Sequence, residues 1–550
     1  MKKYLNNYNL HKKAATAGLA LLLLSAASCT KDFEKINAPY KDVSVATASA
    51  PALFNQLSRN MTQEDYTLHN VILLDKVNQL GVQNVNTPYT NYIASYWSTY
   101  YQNLADYKFI LKLIDESGDP QIFTNLRSIS TILMSLKTMD MLDRYGDIPY
   151  FNAAVAQDGV AYYRPEYDDQ AAIYKSVLED LTAAVNAIRT GSSASTQLPL
   201  GNYESFLASN YDAWIKFGNA IRLRYAVRLF AKDPAIATPI ITDIIGGNKP
   251  LPNAVTYAST TAMRENNYGN YPRIVVPTPN YADRRWYTFR EVSVSNIRLS
   301  TNVWTQISNS NADDGSGIFD PRAYVWFMPN NAGKWVPQPQ DHSVDEGSST
   351  LYRNDATPAP ANSLADNKFA GFNFYLVRDF LDMPFVLISE ADVHFLKAEI
   401  YAKGMGVAKD FTKANQEYQD GLRSSVNFWY TYVANSASGI WPASKPTLGA
   451  TAIATFLANP KVALVPGDDA GNVRKIITQA WLASIWNQPE AWAISRRTGL
   501  TPKAAGYNPQ VFNKLPYPEN EKQNNFDNWM KASGGAEPDA QATVKVYWAP

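Results

Sequence analysis

The sequence predicts a mainly helical protein, with tetratricopeptide-like helix pairs as a scaffold and a loop-rich, irregular subdomain that carries a few short strands. Apolar residues recur at helical spacing over long segments near both ends of the chain. The segment between about 250 and 384 is instead rich in Pro, Asn, Gly, Ser and aromatic residues. Hydrophobic residues make up 46% of the 550 residues and charged residues 18%, as in a globular core. Because 50 basic residues balance 50 acidic ones, the composition excludes a strongly basic nucleic-acid surface.

The N-terminus predicts export. The leader has four lysines and no acidic residue: Lys2, Lys3, Lys12 and Lys13. An apolar stretch, Ala14–Ala27, follows and is rich in Leu and Ala. As a helix it would span about 21 Å, less than the ~30 Å hydrocarbon core of a bilayer. Residues 1–28 are therefore predicted to be a signal peptide and not a membrane anchor.

Cys29 is the only cysteine of the chain and follows three small residues, Ala26–Ser28. This arrangement resembles a lipobox, so we expect Cys29 to be lipidated; a buried free thiol fits its position poorly. Acyl chains on Cys29 would tether the protein to a membrane. Residues 29–49 have little periodicity and are predicted to be the lipidated tether. With no second cysteine, folding cannot rely on a disulfide.

The scaffold is predicted to occupy about 50–249 and 385–550 of a single domain, 50–550. Its segments have the length and apolar spacing of ordinary helices packed as antiparallel pairs. These segments are 53–77, 91–116, 121–144, 168–190, 203–231, 385–404, 409–430 and 472–487.

One helix pair in the C-terminal part has the features of a tetratricopeptide unit. Ala398 and Ala414 are small enough to allow two helices to approach closely, and Tyr401 and Tyr418 would fill the groove between them. Gly404 is expected to end the first helix. An ordinary helical hairpin explains this pair equally well, and no strict repeat period runs along the chain.

The middle segment, about 250–384, is predicted to be the ligand-binding region. It contains helix-breaking prolines and two candidate strands, 274–276 and 324–327. Long loops with their own aromatic residues are usually functional surfaces.

Catalytic and metal-binding motifs are absent from the sequence. His69, His342 and His394 lie far apart and show no zinc-ligand spacing, and the chain has no G-x-S-x-G or phosphate-binding loop. The segment 309–320 faintly resembles a calcium loop, but its glycine is one place late and Asp320 stands where Glu is needed, so a polar turn is favoured. We expect no metal, no cofactor and no enzymatic activity. A catalytic pair of carboxylates for glycoside hydrolysis remains an alternative, because two such residues meet in space and follow no spacing rule in the sequence.

Aromatic residues, at 13% with 34 Tyr and 13 Trp, are the unusual part of the composition. Sugars have apolar C–H faces that stack on flat rings and hydroxyls that pair with Asn, Gln and Arg, so the clusters suggest carbohydrate binding. Core packing is an alternative for Trp97 and Tyr101, which lie four residues apart on one helix face. The candidate ligand-binding residues are Trp97, Tyr101, Asn103, Arg285, Trp286, Trp304, Trp326 and Trp335.

Over nearly its whole mature length, the chain resembles the SusD/RagB family of outer-membrane lipoproteins of Bacteroidetes, and within it the second SusD-like subgroup. The resemblance rests on an ordered set of motifs. In chain order these are Cys29 with Asp32–Asn37, Tyr96–Tyr101, Asp143–Tyr150, Trp214–Arg224, Asp320–Arg322, Glu390–Glu399, Gln479–Trp481, Glu490–Trp492, Arg496–Gly499, and Leu515–Glu519 with Glu521 and Asn524.

The resemblance implies a lipid-anchored protein of the outer membrane that faces the cell exterior. Members of this family cap a SusC-like TonB-dependent transporter and bind glycans, or in some cases peptides, without doing chemistry. A peptide-binding role and, less favoured, a surface glycoside hydrolase are the alternatives. Most motif residues should be structural. We expect a helix to end at Gly146, and Arg496 and Arg497 to hold the C-terminal helix near Glu490.

Overall fold

The structure, a computed structural model, describes the larger part of the chain. The described residues are 49–61, 80–82, 93–204, 206–252, 297–330, 332–338, 369–373, 387–435, 444–503 and 512–550. The predicted signal peptide, residues 29–48 of the predicted tether with Cys29, the candidate strand 274–276, and the candidate ligand residues Arg285 and Trp286 lie outside them.

The described residues are mostly helical, as predicted. Their α-helices are α1 (Ala50–Asn60), α2 (Ile93–Asp115), α3 (Thr124–Tyr145), α4 (Gln170–Ala187), α5 (Tyr211–Leu229), α6 (Pro234–Ile241), α7 (Thr301–Ile307), α8 (Ala323–Trp326), α9 (Glu390–Lys403), α10 (Phe411–Asn435), α11 (Ala452–Ala458), α12 (Asp469–Ala483), α13 (Gln488–Thr498), α14 (Glu519–Asn524), α15 (Phe526–Ser533) and α16 (Pro538–Ala542). Within the described part of the chain, none of these helices combines the length and the apolar character needed to cross a membrane.

A small antiparallel sheet joins the middle segment to the N-terminal part. It contains β1 (Leu80–Val82), β2 (Ile297–Leu299), β3 (Phe327–Met328) and β4 (Gly371–Phe372), in the order β1-β2-β4-β3. The predicted strand 324–327 is wrong for all but its last residue, because 323–326 form the turn α8. The Asp320 carboxylate accepts the N–H of Arg322, and the N–H of Trp326 bonds the carbonyl of Arg322, which starts a helical turn.

Neighbouring helices pack as pairs, with α3 against α4 and α9 against α10. Helix α9 begins with a capping box between Ser389 and Asp392 and ends at Gly404, whose φ of 71° is left-handed. Ala398 and Ala414 are both buried in this pair, as expected for close helix approach. The sequence therefore located this helix pair and its end correctly.

The start of α5 is later than predicted. Spacing suggested a helix from 203, but the carboxylate of Glu204 accepts the backbone N–H groups of Phe206, Leu207 and Ser209. This side chain holds a tight turn, and Asn210 then caps α5 by accepting the N–H of Ala213. Glutamate is tolerated inside helices, but here Glu204 delays the start of α5.

The arginines of α13 hold that helix in place, as predicted, but with other partners. Arg497 makes two hydrogen bonds of 2.7 Å to the carboxylate of Glu399 on α9. Arg496 donates to the carbonyls of Asp143 and Asn513. Glu490 instead contacts arginines of α5. Glu490 and Arg497 are seven residues apart in α13, which corresponds to about 10 Å along the helix axis, so each side chain pairs with a different neighbouring helix.

Candidate functional site

Six of the eight predicted ligand residues are described, and most of them are buried. Those buried are Trp97, Asn103, Trp304, Trp326 and Trp335, while Tyr101 is half-buried. Other side chains cover the rings of the four tryptophans among them. Which residues contact a ligand stays a prediction.

Trp97 is enclosed by an aromatic cluster. Its ring centroid lies 5.2 Å from that of Tyr101, 5.0 Å from that of Tyr145 and 5.9 Å from that of Tyr517. Its indole N–H donates to the Glu521 carboxylate at 3.1 Å, and only 2% of the residue is exposed. Burial raises the pKa of Glu521. In this conformation Trp97 is a core residue, which was the alternative interpretation of its sequence position.

Tyr101 and Asn103 on α2 also make intramolecular contacts. The Tyr101 hydroxyl donates to the carbonyl of Pro149 at 3.0 Å, so this ring anchors the loop after α3. The side-chain oxygen of Asn103 accepts from Asn60 at 3.0 Å. Both side chains stabilise the junction of α2 with its neighbours.

The middle segment contains an aromatic ladder that runs from the interior to the surface. The rings of Trp304 and Trp335 are stacked, with centroids 6.5 Å apart and an interplanar angle of 18°. The ring of Tyr324 meets Trp335 edge-on at 5.8 Å and is 44% exposed. We call Trp304, Trp335 and Tyr324 the aromatic ladder. Its outer member presents a ring to solvent on a rigid support of two indoles.

Trp326 does not belong to the aromatic ladder. Its indole is fully buried and meets Trp429 of α10 edge-on at 6.1 Å. The guanidinium of Arg322 lies 4.9 Å from its ring centroid. Trp326 therefore anchors the middle segment to the helical scaffold.

Polar groups lie beside Trp335, the middle member of the aromatic ladder. The ammonium of Lys334 donates to the Asp313 carboxylate at 2.9 Å, and both side chains are about half exposed. The hydrogen bond from Lys334 to Asp313 raises the pKa of Lys334. The N–H of Trp335 donates to the carbonyl of Asp313 at 2.6 Å, which holds the two segments together.

Gly315 allows this loop to lie against the ladder. Its φ is +80°, and a Cβ there would lie 2.8 Å from the Trp335 ring, closer than such contacts allow. Tyr324 was not among the predicted ligand residues, because those chosen in the middle segment were tryptophans and Arg285. A tyrosine two residues after Arg322 of the Asp320–Arg322 motif was the available signal.

The faint calcium loop has another role at its final position. Asp320 is fully buried and pairs with Arg322 at 2.7 Å, so its carboxylate faces the interior. Among the residues that the structure describes, His, Cys, Asp and Glu do not gather in threes that could hold a metal ion.

The aromatic ladder, together with the polar side chains of Lys334 and Asp313, has the chemistry of a sugar-binding surface. An exposed flat ring can stack on the C–H face of a sugar, and neighbouring ammonium and carboxylate groups can bond its hydroxyls. Burial raises the pKa of the Tyr324 hydroxyl, so this group stays protonated and can donate a hydrogen bond at neutral pH.

Comparison with known proteins identifies a family and a set of similar folds. A family model for SusD-like proteins, described as starch-binding and associating with the outer membrane, matches residues 40–518. No match was found among curated proteins. A solved chitin-binding protein has a TM-score of 0.64 with 22% identity, over 91% of this chain and 100% of its own.

Two further solved structures share the fold. A SusD homologue from Parabacteroides distasonis has a TM-score of 0.62 and 18% identity, over 91% of this chain and 98% of its own. A chitin-binding SusD homologue from Flavobacterium johnsoniae has the same TM-score, identity and coverage. At these identities the likeness shows a common fold.

Proposed function

Because the chain belongs to the SusD-like family, we propose that it captures oligo- or polysaccharide at the cell surface and passes it to a SusC-like TonB-dependent transporter. The family is a family of binding proteins associated with the outer membrane. The predicted signal peptide and lipidation of Cys29 support an anchor in that membrane, with the protein facing outward. We infer that the protein binds its ligand without cleaving it.

The observation that carries the glycan assignment is the exposed ring of Tyr324 at the end of the aromatic ladder. This ring packs edge-on against Trp335, which stacks on Trp304, so part of its conformational freedom is already lost before a sugar stacks on it. Two neighbours in fold are named as chitin-binding proteins, which makes chitin the first ligand to test.

We propose Tyr324 as a direct sugar contact and Trp304 and Trp335 as its support. Arg285 and Trp286 remain proposed ligand contacts, although they lie outside the described residues. Trp97, Tyr101, Asn103 and Trp326 are assigned supporting roles, because their contacts in this conformation are intramolecular.

The test uses the mature chain with Cys29→Ser, which lacks the thiol that would carry acyl chains. Its migration in native gels that contain chitin, starch, xylan or mannan should be retarded by at least one polysaccharide. Tyr324→Ala should weaken that affinity about tenfold. Tyr203→Ala is the matched control, because Tyr203 is an exposed tyrosine outside the aromatic ladder.

Two further measurements separate the alternatives. A binding protein leaves the number of reducing ends of the retained polysaccharide constant, whereas a glycoside hydrolase increases it with time. Affinity for an oligopeptide library, with no retention by any polysaccharide, would instead support the peptide-binding alternative and reject the glycan assignment.

The transporter contact needs a test of its own. The lipidated protein should co-purify with a SusC-like transporter from detergent-solubilised outer membranes of the native cells. Absence of a transporter from that preparation would reject the proposed transfer step while leaving glycan capture in place.

A further inference from the structure

A second exposed aromatic ring lies on the loop after α3, far in sequence from the aromatic ladder. Phe151 is 45% exposed, and the ring of Tyr150 meets it edge-on at 5.2 Å. Burial of a phenylalanine side chain contributes about 1.5–3 kcal/mol to folding. A partner that covers the Phe151 ring could gain a contribution of this kind, and the anchoring of the loop determines how readily the ring can be covered.

Lys108 of α2 fixes the loop from one side. Its ammonium donates to the carbonyls of Tyr150 at 3.1 Å, Phe151 at 3.0 Å and Ala153 at 2.7 Å. An ammonium has three donors, so all of them are used on the loop backbone. Burial lowers the pKa of Lys108, in keeping with its half-buried position.

Asp168 fixes the same loop from the other side. One oxygen of its carboxylate accepts the N–H groups of Tyr150 at 2.8 Å and Phe151 at 3.0 Å. Its own N–H donates to the carbonyl of Ile148 at 3.0 Å, and Tyr101 bonds the carbonyl of Pro149. Both backbone polar groups of Phe151 are therefore paired while its ring stays in solvent.

This arrangement is a preorganised ring. The hydrogen bonds to Lys108 and Asp168 fix the backbone at Phe151, and the edge-on contact with Tyr150 restricts the rotation of its side chain. A ring on an ordered backbone loses less conformational entropy when a partner covers it than a ring on a mobile loop would.

The surroundings of Phe151 decide what kind of partner fits. Asn152, Gln157 and Asp158 on the same loop are exposed. Burial raises the pKa of Tyr150, and the charges of Tyr107 and of the exposed Asp180 raise it further, so the Asp180 carboxylate acts on the Tyr150 hydroxyl. A protein interface normally needs a patch on the order of 1,000 Å², whereas one ring among hydroxyl, amide and carboxylate groups suits a single sugar residue.

We propose that Phe151 is a second sugar-stacking platform, held in position by Lys108 and Asp168 and separate from the aromatic ladder. This inference rests on the proposed glycan-binding function. Phe151 would contact the C–H face of one sugar unit, and the exposed side chain of Asn152 beside it would bond its hydroxyls. Lys108 and Asp168 are positioning residues in this account, because they act on the ligand through the loop backbone.

The test measures the affinity of the mature Cys29→Ser protein for hexasaccharides of chitin, starch, xylan and mannan by titration calorimetry. Phe151→Ala should weaken binding of the hexasaccharide that the wild type binds by about tenfold. Phe151→Tyr, which keeps a flat ring, should restore most of that affinity. Phe526→Ala is the matched control, since Phe526 is a similarly exposed phenylalanine on α15.

Lys108→Met tests the positioning role. Phe151 is still present in this variant, so a loss of affinity together with faster amide exchange at Tyr150 and Phe151 supports the proposal. Unchanged affinity in spite of faster exchange would show that the fixed loop does not matter for binding and would overturn that part.

The remaining outcomes separate this inference from the proposed function. If Tyr324→Ala weakens binding and Phe151→Ala does not, the second platform is wrong and glycan capture stands. If the wild type binds none of the four hexasaccharides and is retarded by no polysaccharide, both fail. If Phe151→Ala binds sugar normally but no longer co-purifies with a membrane protein, Phe151 is a protein contact and the sugar platform is rejected.

Discussion

Asp320 and Arg322 form an ion pair in which neither side chain reaches solvent. The guanidinium bonds the carboxylate at 2.7 Å and also donates to Ser425 at 3.1 Å and Gln479 at 2.5 Å. These partners belong to α10 and α12, so one arginine of the middle segment joins two scaffold helices. Removing one member of a buried pair leaves a charge with no compensation, which is far more costly than losing an exposed pair.

We predict that Asp320→Asn lowers the free energy of unfolding by about 3–5 kcal/mol. The matched control is Asp313→Asn in the same loop, where the pair with Lys334 is exposed and a loss of at most about 1 kcal/mol is expected. Guanidinium denaturation followed by circular dichroism measures both values. Equal effects of the two substitutions would contradict the role given to Asp320.

At the scale of elements, close helix packing depends on single small residues. Gly218 of α5 faces α4 and α3, where an added Cβ would lie 2.4 Å from Val185 Cγ2 and 3.3 Å from Ile132 Cδ1. Val185 and Ile132 are buried, so neither can move aside freely. Gly218 is therefore needed to bring three scaffold helices together.

We predict that Gly218→Ala destabilises the protein by about 1–3 kcal/mol through overpacking, although alanine is the better helix former. Adding Val185→Ala should recover part of this loss, because it removes the methyl group that the new Cβ meets. Gly449→Ala is the control, since a Cβ there meets only Ala452 at 4.0 Å. Thermal unfolding of these three variants and of Val185→Ala alone gives the comparison. If the effects of Gly218→Ala and Val185→Ala simply add in the double variant, a direct clash is ruled out.

At the scale of the whole molecule, buried ion pairs connect helices from the two ends of the chain. Arg228 of α5 contacts both Asp143 of α3 and Glu490 of α13. Glu399 of α9 pairs with Arg497 of α13. The first and last parts of the scaffold are thus held to each other by charged groups that lie away from solvent.

These pairs predict loss of stability in acid. Burial raises the pKa of Glu399, but Arg497 and Lys403 lower it more, to about 2, and Arg228 and Arg224 do the same for Glu490. A carboxylate whose pKa is lowered by folding stabilises the fold fully at any pH above the pKa that it has in the unfolded protein. That contribution, roughly 3 kcal/mol for a shift of this size, is lost as the pH falls from about 4.5 towards 2.

Denaturation curves from pH 7 to pH 2.5 for the wild type and Glu399→Gln isolate this effect. The stability difference between them should be constant above about pH 5 and should shrink below it. Burial raises the pKa of Asp143 and Asp392, so protonation of these two carboxylates in acid favours the folded protein. Both proteins contain them, and their contribution therefore cancels in the stability difference. A difference that does not change with pH would mean that Glu399 is not the titrating group.

Local patterns predicted the fold well. The spacing of apolar residues placed α3 and α4 within a few residues of their observed bounds, and the glycines after α3 and α9 end those helices as expected. Both features depend on residues close together in the chain. The start of α5 was misplaced because the Glu204 side chain competes for backbone N–H groups, which spacing alone does not reveal.

The sequence by itself determined the helical class, the family, and the presence of many aromatic residues in a loop-rich middle. Only the tertiary structure decided which rings are buried and which are exposed. Trp97 is covered by Glu521 and Tyr517, which are more than 400 residues away in the chain. Tyr324 and Phe151 remain partly exposed, and residues of other segments, Trp335 and Lys108, hold them in position. Helix periodicity is a property of near neighbours, whereas exposure of a ring depends on contacts that form only when distant segments meet.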